Sequence, residues 1–250
     1  MGLDMARITA DKIVVDFPIY EASARSFKSA VLQTATGGLL SVNSAHRVVV
    51  RAINGLTFDL KEGDRVGLVG HNGSGKSTLL RVLAGAYEPV SGSLQITGRI
   101  ASMLDLWLGM NSDATGYENI FLRATIMGLR PKEIAPLVDD ICEFAELGDY
   151  IYMPLRTYSS GMQMRLAFAV STSVSADIIL MDEWLSAGDA SFNEKAQTRL
   201  QRMLGNAKIL VVASHNEQMI RTTCNKLMRL LHGNMVEFVS LPAPEAGHLS

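Results

Sequence analysis

The sequence predicts an α/β protein built on a mainly parallel sheet. Three observations carry this expectation. Short apolar, strand-like runs alternate with helical patterns. A glycine-rich loop joins one such run to a helix, and a second apolar run ends in two adjacent carboxylates. With 250 residues, 48% hydrophobic and 19% charged, the chain suits one large domain or two closely joined lobes around a sizeable core. A net charge of −2 with scattered basic residues offers no general affinity for nucleic acid. Cys142 and Cys224 are too far apart for a C-x-x-C pair and read as reduced cytosolic thiols rather than a disulfide or zinc ligands. No apolar stretch approaches the ~20 residues that cross a bilayer. No basic region followed by an apolar block opens the chain. It is therefore expected on the cytoplasmic side, with any membrane span supplied by another subunit.

Along the chain, Ile8 to Val15 reads as a strand ended by Phe17-Pro18. Residues 21–47, rich in Ser, Ala, Thr and Gly with a Gly37-Gly38 pair, read as a partly helical insertion and loop. Two strands follow, Val48–Ile53 and Leu56–Leu60, and the Asn54-Gly55 between them is a hairpin-turn signal. Beyond the turn-forming Glu62-Gly63-Asp64, Arg65 to Val69 is a short buried strand. It leads into the glycine-rich loop, and Lys76 to Gly85 is a helix with Leu79, Leu80, Val82 and Leu83 on one face. From about Leu104 to Tyr158 the pattern turns helical, with helices at Gly116–Met127 and Lys132–Leu147 separated by Gly128 and Pro131. Ile178–Met181 and Lys208–Ala213 are buried strands with a polar helical stretch between them. The helical section, about 104–160, reads as a second lobe inserted into a core of 8–103 and 161–240. Residues 241–250 form a loose tail.

Gly70-His71-Asn72-Gly73-Ser74-Gly75-Lys76-Ser77 satisfies G-x-x-x-x-G-K-[ST]. Its glycines let the backbone wrap closely, so that successive N–H groups point at phosphate oxygens. The following helix adds the positive end of its dipole. Lys76 is placed to reach the outer phosphates of ATP, Ser77 to bind the nucleotide's magnesium, and Thr78 to assist through its hydroxyl or N–H. The run Ile178-Ile179-Leu180-Met181 delivers Asp182-Glu183 at its end. With a phosphate loop upstream, Asp182 would hold magnesium through water and Glu183 would orient and polarise the attacking water. His215 lies just past Lys208–Ala213, where ligands collect in open α/β sheets, and reads as a γ-phosphate contact.

These parts are common to P-loop ATPases. A narrower resemblance starts at Tyr158-Ser159-Ser160-Gly161-Met162, which precedes Gln163-Met164-Arg165-Leu166-Ala167-Phe168-Ala169 and is similar to the signature motif of ABC ATPases. Serine and glycine at a helix N-terminus can bind the γ-phosphate of an ATP held by another subunit. Ser186-Ala187-Gly188-Asp189 resembles the D-loop, giving Asp189 a place near the nucleotide. Tyr158–Met162, Thr115-Gly116-Tyr117-Glu118-Asn119-Ile120 and Asp182–Ala190 look like the ATP-binding subunits of bacterial polysaccharide exporters. Within that group Val15 to Phe27, with Asp16-Phe17-Pro18-Ile19-Tyr20, is most similar to the O-antigen branch.

The resemblance spans about residues 8–240 and implies a single ATP-binding domain. Its parts would be a RecA-like core, an antiparallel β subdomain and an inserted helical subdomain. It further implies ATP hydrolysis with magnesium, on the cytoplasmic face of the inner membrane. Two copies of this subunit would join two copies of a membrane permease that handles a lipid-linked polysaccharide, and the helical lobe would take the coupling contact. Two departures stand out. Ser160 and Met162 replace the glycine and glutamine of many ABC signatures, as is usual in this branch. The Q-loop glutamine is missing, leaving Asp105 as the nearest polar stand-in and candidate metal contact, with Asn111 next. Phe17 and Tyr20 both fit the aromatic that stacks on adenine. Ending at Ser250, the chain is expected to lack the C-terminal carbohydrate-binding domain of some relatives. The alternatives are another ABC exporter, for lipid or drug, and a soluble ABC ATPase acting on DNA or ribosomes.

Overall fold

A computed structural model describes residues 5–18, 40–42, 48–183 and 190–242. The described residues form two compact units, one within 5–98, 180–183 and 208–242, the other within 99–179 and 190–207. The expected insertion at 21–47 is therefore described only at Leu40–Val42, and the expected tail only at its first two residues.

The first unit holds an antiparallel sheet in the order β2-β3-β1-β5, with β1 Arg7–Pro18, β2 Leu40–Val42, β3 Val48–Lys61 and β5 Ser91–Thr97. The expected hairpin at Asn54-Gly55 does not form: β3 is one strand of 14 residues. Both of its halves pair with β1, Ile13 facing Leu56 and Val14 facing Asn54, so Gly55 is an extra residue at φ +71°. That is a β-bulge, and glycine supplies the left-handed conformation it needs. Folding the two halves on each other would have left β1 without this partner and its buried Ile8, Ile13 and Val15 uncovered. β1 ends at the expected Phe17-Pro18 break, with Pro18 its last residue, because proline cannot donate to a further ladder bond.

The same unit carries strands in the order β10-β9-β4-β8-β7, with β4 Arg65–Val69, β7 Ile178–Asp182, β8 Ile209–Ala213, β9 Lys226–Leu231 and β10 Asn234–Ser240. β4 runs parallel to both β8 and β9, while β10 closes the edge antiparallel to β9. Of β7, Leu180–Asp182 belong to this unit. Every residue of β8 is buried, and so are the first four of β7. Such strands read as unbroken apolar runs because both faces of a parallel sheet are covered. Helix α1, Lys76–Leu83, buries Leu79, Leu80, Val82 and Leu83, the face its spacing predicted.

The second unit begins with Arg99, whose carbonyl accepts from the N–H groups of Asp177 and Ile178 at 2.9 and 3.0 Å. This fixes the start of β6, Ile100–Met103, beside the start of β7. Helix α2 is Gly116–Ile126, as expected to within a residue. The helix expected at Lys132–Leu147 is instead broken into α3 Pro131–Ile134, a 3-10 turn Ala135–Leu137, and α4 Val138–Ala145. Pro136 is the cause: it has no N–H to give and its ring crowds the carbonyl one turn earlier. Helices α5, Ser160–Ser173, and α6, Ala190–Asn206, group here too, because α5 packs on both α2 and α4 and α6 packs on α5. The unit is thus wider than the 104–160 lobe drawn from sequence. At its centre the buried Arg123 donates to the Leu108 carbonyl at 2.6 Å and to Ser171 Oγ at 3.1 and 3.2 Å. Burial pulls its pKa down to about 10, which still leaves it charged at neutral pH. Among the described residues no helix is long and apolar enough to cross a membrane.

Candidate nucleotide-binding and hydrolysis site

The glycine-rich loop leaves β4 at Val69 and enters α1 at Lys76. Gly70, Gly73 and Gly75 all have positive φ. A Cβ on Gly70 would stand 2.4 Å from the Leu230 carbonyl oxygen, and one on Gly75 would stand 2.7 Å from that of Ala52. Any side chain there would push the loop off its backbone support. That support comes from the turn between β9 and β10: Gly233 donates to the Ser74 carbonyl at 3.0 Å and accepts from Asn54 at 2.9 Å. The rings of His232 and His71 lie 4.8 Å apart. Lys76 curls back over the loop, its ammonium donating to the carbonyls of Gly70 and His71 at 2.7 and 3.2 Å. Gly75 is the N-cap of α1 and has no side chain to cap it, so the first-turn N–H groups are left for an anion. The buried Ser74 Oγ has no hydrogen-bond partner.

One cavity of about 340 Å³ brings the expected parts of this unit together. It is lined by Asn72 through Thr78, by Asp182 and His215, and by Phe17, Val50 and Ala52. Ser77 and Asp182 thereby place oxygen donors in one cavity, the donor type that magnesium takes alongside phosphate and water. Phe17 is set by its strand. Asp16 and Arg51 form a two-pronged ion pair at 2.9 and 3.0 Å, and the next pair in register is Phe17 with Val50. The Arg51 guanidinium is held above its usual pKa by that hydrogen bond to Asp16. Tyr87 meets Phe17 edge to face, centroids 5.1 Å apart. Tyr20 lies outside the described residues.

Glu183 follows Asp182 at the end of β7, exposed and in the left-handed region at φ +74°. That conformation costs a non-glycine residue about 1–2 kcal/mol, and two bonds hold it: its N–H donates to the Ala213 carbonyl at 2.9 Å, and its Oε1 accepts from Ser214 Oγ at 3.0 Å. Asp182 and Glu183 are therefore adjacent yet separately placed, one in the cavity and the other clasped to the end of β8.

Residues 158–162 lie in the second unit. Ser159 caps α5, its Oγ accepting from Met162 N–H at 3.2 Å, while its carbonyl accepts from Gln163 N–H at 3.0 Å. Ser160 and Gly161 open the helix, and a Cβ at Gly161 would meet only Ser159 Oγ, 3.9 Å away. The motif at 115–120 supports this turn. Thr115 and Glu118 form a capping box at the start of α2. The buried Asn119 donates to three carbonyls, those of Asn111, Ala114 and Thr115, and accepts from Asn111 N–H. Gly116 leaves room for Tyr158, whose hydroxyl oxygen would be 2.2 Å from any Cβ there. Burial pushes the Tyr158 hydroxyl above its ordinary pKa. Two motifs distant in sequence are thus one packing contact.

Asp105 also belongs to the second unit, where its Oδ1 accepts from Trp107 N–H at 2.9 Å. Asn111 is engaged with Asn119 and, through Oδ1, with Asp113 N–H. Asp189 and the rest of the D-loop candidate, 186–189, lie outside the described residues. The sequence reading missed Tyr87, Ser214 and the His232-Gly233 turn. Only the last had a signal, a glycine between two apolar runs, and that signal says hairpin without saying what the hairpin supports.

Comparison with known proteins follows the same lines. Residues 53–186 match the family described as ABC transporter. The O-antigen export system ATP-binding protein RfbE of Yersinia enterocolitica is 40% identical over 233 residues, covering 93% of this chain and 98% of that protein. A teichoic acids export ATP-binding protein, TagH of Listeria innocua, is 37% identical over 186 residues, or 74% of this chain. The match covers 55% of TagH, so the chain spans about half its length. Among solved structures, a dimeric post-hydrolysis ATP-binding cassette bound to ADP and Pi superposes with a TM-score of 0.65 at 19% identity, covering 94% of this chain and 99% of that one.

Proposed function

Because this chain belongs to the ABC transporter family of ATP-binding, ATP-hydrolysing subunits, we propose that it powers export of a lipid-linked, O-antigen-like polysaccharide. It would do so on the cytoplasmic face of the bacterial inner membrane, as two copies joined to a separate membrane permease. One observation carries the hydrolytic part: the phosphate loop, Asp182 and His215 line a single cavity, and Glu183, the residue after Asp182, is held by Ser214, the residue before His215. The polymer class rests on the O-antigen export relative, matched over 98% of its length.

ATP binds with its phosphates on the N–H groups of residues 70–78 and on Lys76. Phe17 is the adenine-side aromatic that shares this cavity. Ser77 and Asp182 would hold magnesium, which would supply positive charge against the phosphates of the nucleotide. Glu183 orients a water and accepts its proton as the water oxygen bonds to the γ-phosphorus. The bond from that phosphorus to the bridging oxygen breaks, and the electron pair leaves with ADP. His215 contacts the γ-phosphate. The other side of each nucleotide is closed by Ser159, Ser160 and Gly161 of a second copy, with Asp189 nearby. ATP thereby favours the closed pair, since only there do both chains meet the γ-phosphate.

Permease contact is assigned to a groove of about 770 Å³ on the second unit, lined by Tyr117, Phe121, Leu122, Thr125 and Ile126 among others. Leu122 and Ile126, one turn apart on α2, are 41% and 53% exposed and with the exposed Tyr117 form a contiguous apolar face. Replacing both by glutamate is expected to abolish co-purification with the permease and polymer export in cells. ATP hydrolysis by the isolated subunit should stay within about twofold, because the change is on an exposed face. Export at the normal level would remove this groove from the contact.

A further inference from the structure

We propose that Ser214 is a positioning residue for hydrolysis: its buried hydroxyl holds the Glu183 carboxylate at the strand ends, ready for the attacking water. The proposal rests on the assignment of Glu183 as the base.

Ser214 is 1% exposed and sits directly after β8. Its backbone N–H donates to the Leu68 carbonyl at 3.2 Å, which ties it to the strand that feeds the phosphate loop. A serine hydroxyl has one proton to give and two lone pairs to receive with. Asn216 N–H donates to Ser214 Oγ at 3.1 Å, and Ser214 Oγ donates to Glu183 Oε1 at 3.0 Å. Asn216 is itself fixed, since its Oδ1 caps the helix α7, Glu217–Thr223, by accepting from Met219 N–H at 3.1 Å. One hydroxyl lone pair is thus occupied from the helix side, and its proton is aimed at the carboxylate.

Glu183 needs such a holder. It is exposed, and a free glutamate side chain on a surface samples many rotamers. Its left-handed backbone and its Ser214 bond both anchor it to the end of β8. Strained residues of this kind persist where the surroundings over-determine them. His215, the next residue after Ser214, lines the nucleotide cavity. Ser214 bonds the Glu183 carboxylate while His215 lines the cavity, so this dipeptide sends one group to the base and the other to the phosphate end. A contact made by His215 and the position of Glu183 therefore share one anchor.

The test is steady-state ATP hydrolysis by purified full-length protein with magnesium. Ser214→Ala is expected to lower kcat roughly tenfold, the effect of losing one hydrogen bond to a charged group, with KM for ATP within about twofold. Ser214→Thr, which keeps the hydroxyl, should recover to within about threefold of wild type, and Ser214→Cys, a poor donor of similar size, should behave like alanine. In a Glu183→Ala background, Ser214→Ala should cost less than about twofold, because no carboxylate remains to be held. Unchanged or raised kcat in Ser214→Ala and Ser214→Cys, or equal losses in both backgrounds, would overturn the proposal. Glu183→Gln measured alongside separates the two assignments. If Glu183→Gln retains full turnover, the base is misassigned; if it loses turnover while Ser214→Ala does not, only the role of Ser214 falls.

Discussion

Glu183→Gln is expected to bind ATP as the wild type does and to lose turnover by roughly a hundredfold or more. The size follows from what the substitution removes. Glutamine has the same shape and can still accept from Ser214 through its amide oxygen, so the bond to Oε1 at 3.0 Å and the local packing survive. It cannot take a proton from water. The phosphate-binding parts, residues 70–78, are untouched, and Asp182 still faces the cavity. Binding and hydrolysis should therefore separate cleanly, nucleotide affinity changing by less than about threefold while single-turnover phosphate release slows. Undiminished release would refute the catalytic role of Glu183.

Lys76→Ala acts on the other half of the chemistry. Lys76 is 7% exposed and its ammonium already donates to the carbonyls of Gly70 and His71, so it is a strut for the loop as well as a charge for the phosphates. Alanine removes both. Charged hydrogen bonds of this type contribute about 1.5–3 kcal/mol each, which places the loss of ATP affinity at roughly ten- to hundredfold. Titration with a fluorescent ATP analogue reads this directly. An unchanged affinity would count against the loop as the phosphate site, whereas a loss in Lys76→Ala with none in Glu183→Gln separates binding from catalysis.

Much of this arrangement is legible in the amino-acid order because it depends on local chemistry. A strand, a glycine run and an amphipathic helix are close in sequence, so Arg65 to Leu83 reads directly. The apolar run ending in Asp182-Glu183 is equally local. What sequence does not carry is which distant element answers which. Asn54-Gly55 has the composition of a hairpin turn, yet β1 pairs with both flanking segments and the dipeptide becomes a bulge. Pro136 overrides the helical spacing of 132–147 because a missing N–H outranks periodicity in a helix interior. Ser214 carries no signal at all, since a serine after a strand is ordinary until its hydroxyl is seen against Glu183. The same holds for the His232-Gly233 turn, whose contact with Ser74 spans most of the chain. Tyr158 and Gly116 belong to separate motifs and only the packed structure makes them one contact.

The central claim is that each nucleotide is bound by one copy and closed by the signature turn, Ser159 to Gly161, of another. Sizing the Glu183→Gln protein in solution with and without ATP and magnesium tests it most directly, because this variant should hold the closed state without consuming the ligand that stabilises it. The expected result is a monomer without nucleotide and a dimer with it, the dimer being lost when Ser159→Ala and Gly161→Glu are added. A strict monomer under both conditions, or a dimer indifferent to ATP and to those two changes, would contradict the shared site.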